Sequence, residues 1–383
     1  MSATAQLSTT YSPFIVLKVS SHCNLACDYC HSTGLPKKKL LMPIELISRT
    51  IKGFVPYFAA QGDSRLELVF HGGEPLLAGL EFYRKVLELE SHLDTADLSI
   101  INEIQTNGTL ITEDWIELFK QGQFRIGISA DGPAALHDKY RKDRNGKPTF
   151  ERIAHSIELL QEENLSFGLL SVITKESPDY YEDFFNLLIE WPFSSVNFLP
   201  CIGPAAREHI HAYSKFTRDF FDLWLRNDAP FEVLTFLDIM RQIEGQQGRL
   251  CYLSEKCRKF PTIDTLGRIY PCDRYIGDER YRIGTVSASS FKLVESPQMK
   301  LHKLLPKPCA ACEVNNICSG GCPALIDPRT GKDLYCSARK ALIQHIIQKF
   351  DEHDLSSTDI LRKFDKRTMK WADSIEWGDT IDF

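Results

Sequence analysis

The stretch FIVLKVSSHCNLACDYCHS, Phe14–Ser32, decides how the rest of the chain is read. Its opening run Phe14–Ser20 is apolar, rich in β-branched residues and of strand length. Directly after it come Cys23, Cys27 and Cys30, spaced C-x3-C-x2-C. Three thiolates can hold three irons of a [4Fe–4S] cluster. No fourth cysteine is near in the sequence, so one iron is left open to bind and reduce a small molecule. The alternative is a zinc site with His22 or His31 as fourth ligand, since zinc usually takes four closed ligands.

Beyond this stretch, short apolar runs alternate with amphipathic ones. Strands are expected at Phe14–Ser20, Glu67–His71, Ile100–Gln105, Arg125–Ser129, Phe167–Ile173 and Val196–Leu199. Helical patterns between them include Leu46–Ala60, Leu80–Glu90, Glu113–Gln121 and Glu151–Glu163. Such alternation indicates an α/β fold with a parallel sheet. Six units over this length predict an open, partial (β/α)6 version of the eight-unit TIM-like barrel. Chemistry then gathers at the C-terminal strand ends. His22–Cys30, Gly72–Pro75, Thr106–Gly108 and Ser129–Gly132 fall there. Glycine clustered at strand ends suits a backbone that closely approaches a cofactor.

The 383 residues fit two or three domains. Apolar residues make up 43% and charged residues 25%, as in ordinary globular chains. The net charge of −6 argues against nucleic acid as partner. The apolar run near the start is too short for a signal segment or a membrane span, so a soluble, cytoplasmic protein is expected. In that reducing compartment, twelve cysteines point to metal ligands more than to disulfides. Eight of them lie between Cys251 and Cys336, as C251-x5-C257-x14-C272 and then C309-x2-C312-x5-C318-x3-C322-x13-C336. Eight thiolates make two complete four-ligand sites, for clusters or for a pair of zinc ribbons. Helices over His211–Asn227 and Glu232–Gln247 bridge the two regions. The expected division is residues 10–235 as a core partial barrel, 236–350 as a ligand-rich domain and 351–383 as a tail. Gly267, in DTLGRIYPC, marks a hairpin that returns Cys272 toward Cys257.

C-x3-C-x2-C after a first strand, followed by HGGEP at His71–Pro75, resembles the radical S-adenosylmethionine (SAM) superfamily. The resemblance implies that the open iron binds the amino and carboxylate groups of SAM, and that reductive cleavage gives a 5′-deoxyadenosyl radical. It assigns Gly72, Gly73, Glu74 and Pro75 to the methionine amino group, and Ser129 and Arg141 to the carboxylate. The planar fork of arginine suits a carboxylate. Many relatives carry an aromatic residue directly after the third cysteine, where this chain has His31.

The C-terminal cysteines resemble the SPASM extension of that superfamily. The implied ligation gives one auxiliary cluster Cys251, Cys257, Cys272 and Cys322, and the other Cys309, Cys312, Cys318 and Cys336. Three [4Fe–4S] clusters and SAM are therefore the expected cofactors. Cys201 stands outside both sets and reads as a small buried hydrophobe. The segments IQTNGTLI, GISADGP, FFDLW and IYPCDRY are similar to anaerobic sulfatase-maturating enzymes, which oxidise a cysteine or serine to formylglycine. The resemblance makes Asp273 the base, the alternative being a structural pair with Arg274 or Arg280. The same architecture serves enzymes that cross-link ribosomally made peptides. Such peptide maturation is placed slightly ahead, because His31 and the tail depart from the sulfatase group. A small metabolite is a third substrate class, and a non-catalytic zinc scaffold the alternative from another class. No peptide-recognition domain is expected ahead of the triad. The expected partners are a peptide or protein substrate and a reducing partner such as flavodoxin or ferredoxin.

Overall fold

Strand β1, Phe14–Ser20, is buried along nearly its whole length, which places it inside a sheet and not at its edge. The computed structural model describes residues 14–30, 38–60, 62–93, 98–191, 193–202, 205–253, 260–293 and 306–364. His31, Cys257 and the tail from residue 365 lie outside the described residues.

From β1 the chain runs through α1 (Ile44–Ala59), β2 (Arg65–Gly72), α2 (Leu80–Ser91), β3 (Ser99–Thr106), α3 (Glu113–Gln121) and β4 (Arg125–Ser129). Then follow α4 (Ala134–Tyr140), α5 (Phe150–Glu162), β5 (Phe167–Ile173), α6 (Tyr181–Glu190), β6 (Ser195–Pro200), α7 (Ala206–Arg226), β7 (Glu232–Val233) and α8 (Leu234–Ile243). Strands β1 to β7 are parallel and hydrogen-bonded in sequence order. The sequence led to six such strands. The seventh takes the first two residues of the expected helix at Glu232–Gln247, because the edge of β6 recruits Glu232 and Val233 into its ladder.

Four more strands extend the sheet on the other side of β1: β8 (Thr262–Ile263), β9 (Arg268–Tyr270), β10 (Gly284–Val286) and β11 (Phe291–Leu293). β8 runs parallel to β1 with Val16 opposite Thr262, and β8 to β11 are antiparallel to one another. The β8–β9 hairpin is the one expected around Gly267, whose φ of 77° suits glycine. The result is one large, mostly parallel sheet of eleven strands. After it come irregular segments and a long helix α9 (Cys336–His353), which packs on α7.

Alternation assigns the two faces of the sheet. In β2, Leu66, Leu68 and Phe70 are buried under the helices, where they join Ile51, Phe54, Tyr83 and Phe119 in the core. Glu67, Val69 and His71 take the opposite, inner face. Register places Phe14, Val16 and Lys18 of β1 beside them. No helix among the described residues is long and apolar enough to cross a membrane.

Candidate active site

The inner face opens at the C-terminal strand ends into a cavity of about 350 Å³. Cys23, Cys27, Cys30, Gly72, Gly73, Ser129 and Arg141 line one side of it. Cys251, Cys272, Asp273, Arg274 and Cys322 line it as well, brought in by the segments around β9 and residue 322.

The cysteine loop is held from three directions. Gly73 N–H donates to the Ser20 carbonyl at 2.8 Å and Glu74 N–H to the His22 carbonyl at 2.9 Å, which locks the ends of β1 and β2 together. A Cβ on Gly72 would stand 2.3 Å from the Ser20 carbonyl oxygen, and one on Gly73 2.2 Å from that of His22. Only glycine permits that approach. From the loop after β3, Asn107 Nδ2 donates to Asn24 Oδ1 at 2.8 Å and reaches the Cys23 sulfur at 3.6 Å. From the loop after α4, Arg144 Nε donates to the Cys23 carbonyl at 2.6 Å. Ala26 N–H there meets the Lys142 carbonyl, and Asp28 N–H that of Tyr140.

The electrostatics around the sulfurs pull in two directions. Burial pushes the free thiols of Cys23 and Cys27 up to about 11 and about 12. Leu25 N–H, 3.3 Å from the Cys23 sulfur, and the Asn107 amide pull Cys23 the other way, as Arg141 does for Cys27. Buried sulfurs given cationic and N–H neighbours suit thiolates that carry their charge to a metal.

Arg141 is aimed by a buried carboxylate. Its Nε donates to Asp131 Oδ2 at 2.8 Å, and its guanidinium lies 5.5 Å from the Tyr29 ring centre. Tyr29 OH donates to the same oxygen, and Val172 N–H to Asp131 Oδ1 at 2.9 Å. Arg141 thus faces the cavity with its terminal nitrogens still available for a carboxylate. Ser129 Oγ accepts from Gln105 Nε2 at 3.1 Å.

Glu74 and Pro75 stand behind this surface and do not line the cavity. Glu74 is fully buried, and Leu76 N–H, Thr106 Oγ1 and Asn107 N–H donate to its carboxylate at 3.0, 2.6 and 2.8 Å. Burial pushes it up to about 7 against those donors. Its visible work is to tie the β2 loop to the β3 loop, leaving the backbone of Gly72 and Gly73 at the surface.

Across the cavity, Asp273 Oδ1 lies 2.5 Å from Lys18 Nζ. Lys18 is a buried cation on the inner face of β1, with a side chain only 1% exposed, while that of Asp273 is 24% exposed. Sequence reasoning missed Lys18. The available signal was the single charge inside FIVLKVS at an inward position of the alternation. Asp273 is therefore ion-paired with Lys18, while Arg280 pairs with Asp278.

Cys251, Cys272 and Cys322 interact electrostatically with one another. Cys309 interacts with Cys336, Cys318 and Cys312. Asp333 accepts from Cys322 N–H at 2.6 Å and holds Arg339, whose Nη1 reaches the Cys318 sulfur at 3.9 Å. Among the described residues no three His, Cys, Asp or Glu side chains are grouped to hold a single ion. Thiols of the first group share the cavity lining with a guanidinium, Arg274, whose buried Nη1 has no hydrogen-bond partner among the described residues. An anionic cluster on those sulfurs satisfies that cation, so the donor set fits iron–sulfur ligation. Cys201 is buried at the end of β6, and its carbonyl accepts from Tyr335 OH at 2.6 Å.

Comparison with known proteins bears on this geometry. The model of the radical SAM superfamily matches residues 17–188. The cysteine-type anaerobic sulfatase-maturating enzyme of Clostridium novyi is 28% identical, over 88% of this chain and 95% of that one. The serine-type anaerobic sulfatase-maturating enzyme of Klebsiella aerogenes is 30% identical, over 82% of this chain and 80% of that one. Among solved structures, native anSMEcpe with bound AdoMet superposes with a TM-score of 0.79 at 26% identity, covering 91% of this chain and 100% of that one. Streptococcus suis SuiB bound to precursor peptide SuiA shares the fold, with a TM-score of 0.62 at 15% identity over 86% of this chain and 76% of that one.

Proposed function

The chain belongs to the radical SAM superfamily and is an enzyme, and from that premise we propose that it oxidises a cysteine or serine side chain of a sulfatase-type protein to formylglycine, using SAM and three [4Fe–4S] clusters. The order of substrates set by the sequence is reversed. Relatives at 28–30% identity over most of the chain are sulfatase-maturating enzymes, whereas the likeness to the peptide-bound SuiB concerns the fold alone. Departures at His31 and in the tail are too local to outweigh that extent.

The observation that carries the reading is one cavity lined both by the Cys23, Cys27, Cys30 triad and by Asp273 beside Cys251, Cys272 and Cys322. Cys23, Cys27 and Cys30 would hold the cluster that binds SAM. Cys251, Cys257, Cys272 and Cys322 would hold one auxiliary cluster, and Cys309, Cys312, Cys318 and Cys336 the other. When bound, these cofactors supply a 5′-deoxyadenosyl radical that takes a hydrogen atom from the substrate carbon, and an acceptor for one electron.

The protein's own part is binding, orientation and proton movement. The backbone at Gly72 and Gly73 approaches the methionine ammonium, and Ser129 and Arg141 take its carboxylate. Asp273 receives the proton of the substrate thiol or hydroxyl at the carboxylate held by Lys18. Hydrogen atom, proton and electron together balance a two-electron oxidation, which turns serine directly into the aldehyde and cysteine into a thioaldehyde that water then hydrolyses to the aldehyde with release of hydrogen sulfide. Apolar residues Leu170, Val172 and Leu199 on the inner face exclude water from the reacting carbon. A one-electron donor such as flavodoxin or ferredoxin, and a reducing cytoplasm, complete the system.

The test is anaerobic incubation of reduced enzyme with SAM and a sulfatase-derived peptide carrying the target cysteine or serine. Mass spectrometry is expected to show an aldehyde at that residue, with 5′-deoxyadenosine formed alongside. A cross-linked or methylated peptide in place of the aldehyde would overturn the assignment.

A further inference from the structure

Arg274 is a buried cation that shares a cavity wall with three cysteines. It follows Cys272 and Asp273 in YPCDRY, on the turn after β9, and lines the cavity with Cys251, Cys272 and Cys322. Burial disfavours its charge, while Cys322, Cys251, Cys272 and Asp333 favour it. Its Nη1 is buried and has no hydrogen-bond partner among the described residues.

Arg339, the neighbouring buried guanidinium, provides the contrast. Its Nη2 pairs with Asp333 Oδ2 at 3.2 Å, and that oxygen also accepts from Cys322 N–H. Among the described residues, Asp333 is thus committed to Arg339 and Asp273 to Lys18. A buried cation left unpaired is costly, whereas one matched by an anion is tolerated. Neutral thiols cannot match Arg274. A four-thiolate [4Fe–4S] cluster can, because it is anionic in both oxidation states and gains negative charge on reduction.

We infer that Arg274 is the counter-cation of the cluster held by Cys251, Cys257, Cys272 and Cys322, and that its charge makes this cluster easier to reduce. The inference rests on reading those cysteines as cluster ligands. The physical reason is that a fixed positive charge in a low-dielectric site stabilises the more negative, reduced state over the oxidised one. The position suits the proposed chemistry. Of the two auxiliary sites, this one borders the cavity beside Asp273, where an electron leaves the substrate.

The test compares reconstituted wild type with Arg274→Gln and Arg274→Lys. Iron and acid-labile sulfide are counted, and reduction is followed by EPR-monitored potentiometric titration. In R274Q one auxiliary midpoint is expected to move to more negative potential by at least a tenfold change in the one-electron equilibrium, about 59 mV. R274K is expected to stay near the wild type, and the midpoint of the Cys23, Cys27, Cys30 cluster to stay where it was. An unchanged auxiliary midpoint in R274Q with full iron overturns the inference. Should R274Q lose iron, retention by R274K supports it, and equal loss in R274K overturns it. Wild type with only about four irons per chain would remove the premise itself, a failure visible before any variant is made.

Discussion

Lys18 and Asp273 meet at 2.5 Å across the join between β1 and the segment after β9. A carboxylate held by a buried ammonium has a fixed direction, which a proton acceptor needs more than it needs strength. Asp273→Asn is expected to cut product formation by about a hundredfold or more, while SAM cleavage continues. The ratio of 5′-deoxyadenosine to product measures this, and a ratio equal to that of wild type would exclude Asp273 from proton transfer. Lys18→Met is expected to raise the same ratio, because the carboxylate loses its anchor. Asp273 could be singled out in the sequence because it adjoins a cysteine inside a recognisable segment. Lys18 carried only the signal of a lone charge at an inward position of an apolar strand, which names no partner some 250 positions away. Arg141 was singled out by resemblance, and its orientation by Asp131 depends on a contact between the ends of β4 and α4 that the sequence does not show.

At the scale of elements, the site is a set of strand ends tied to each other. The Glu74 carboxylate joins the loops after β2 and β3, and the Gly73 backbone joins those after β1 and β2. Gly73→Ala places a methyl group 2.2 Å from the His22 carbonyl, next to Cys23. The backbone must then give way, at a cost of about 1–3 kcal/mol. A lower Tm together with reduced iron at the first cluster is the expected result. Unchanged values of both would show that the two loops are free to separate. The long amphipathic helices and the main parallel strands were readable because their periodicity extends over many residues. β7 and β8 were not, since Glu232–Val233 and Thr262–Ile263 are too short to carry a period. Their strand geometry comes from the ladders of β6 and β1 that they join.

For the whole molecule, the decisive step is that β8 docks on the free edge of β1 and extends one sheet into the C-terminal region. Cys272, Asp273 and Arg274 follow that extension by a few residues, so they arrive at the cavity as a consequence of strand pairing. Tyr335 OH, bonded to the carbonyls of Cys201 and Ala206, fastens the start of α9 to the far side of the same opening. The sequence allowed the cysteines to be counted, because number and spacing are local, whereas their division into two sets came from a resemblance. It did not reveal that the two cysteine-bearing regions share a wall, because that is set by long-range pairing. The same limit explains the ranking of substrates. His31 and the tail were the visible local differences, while the sulfatase-maturating relationship is spread thinly over most of the chain.

The measurement that bears most directly on the account is the iron content and SAM cleavage of a variant with Cys23, Cys27 and Cys30 all changed to alanine. Wild type reconstituted without oxygen is expected to hold about twelve irons per chain and to release 5′-deoxyadenosine when reduced with SAM. The variant is expected to keep about eight irons and to release none. Deoxyadenosine formation at the wild-type rate in that variant would contradict the claim that these three cysteines hold the cluster at which SAM is split.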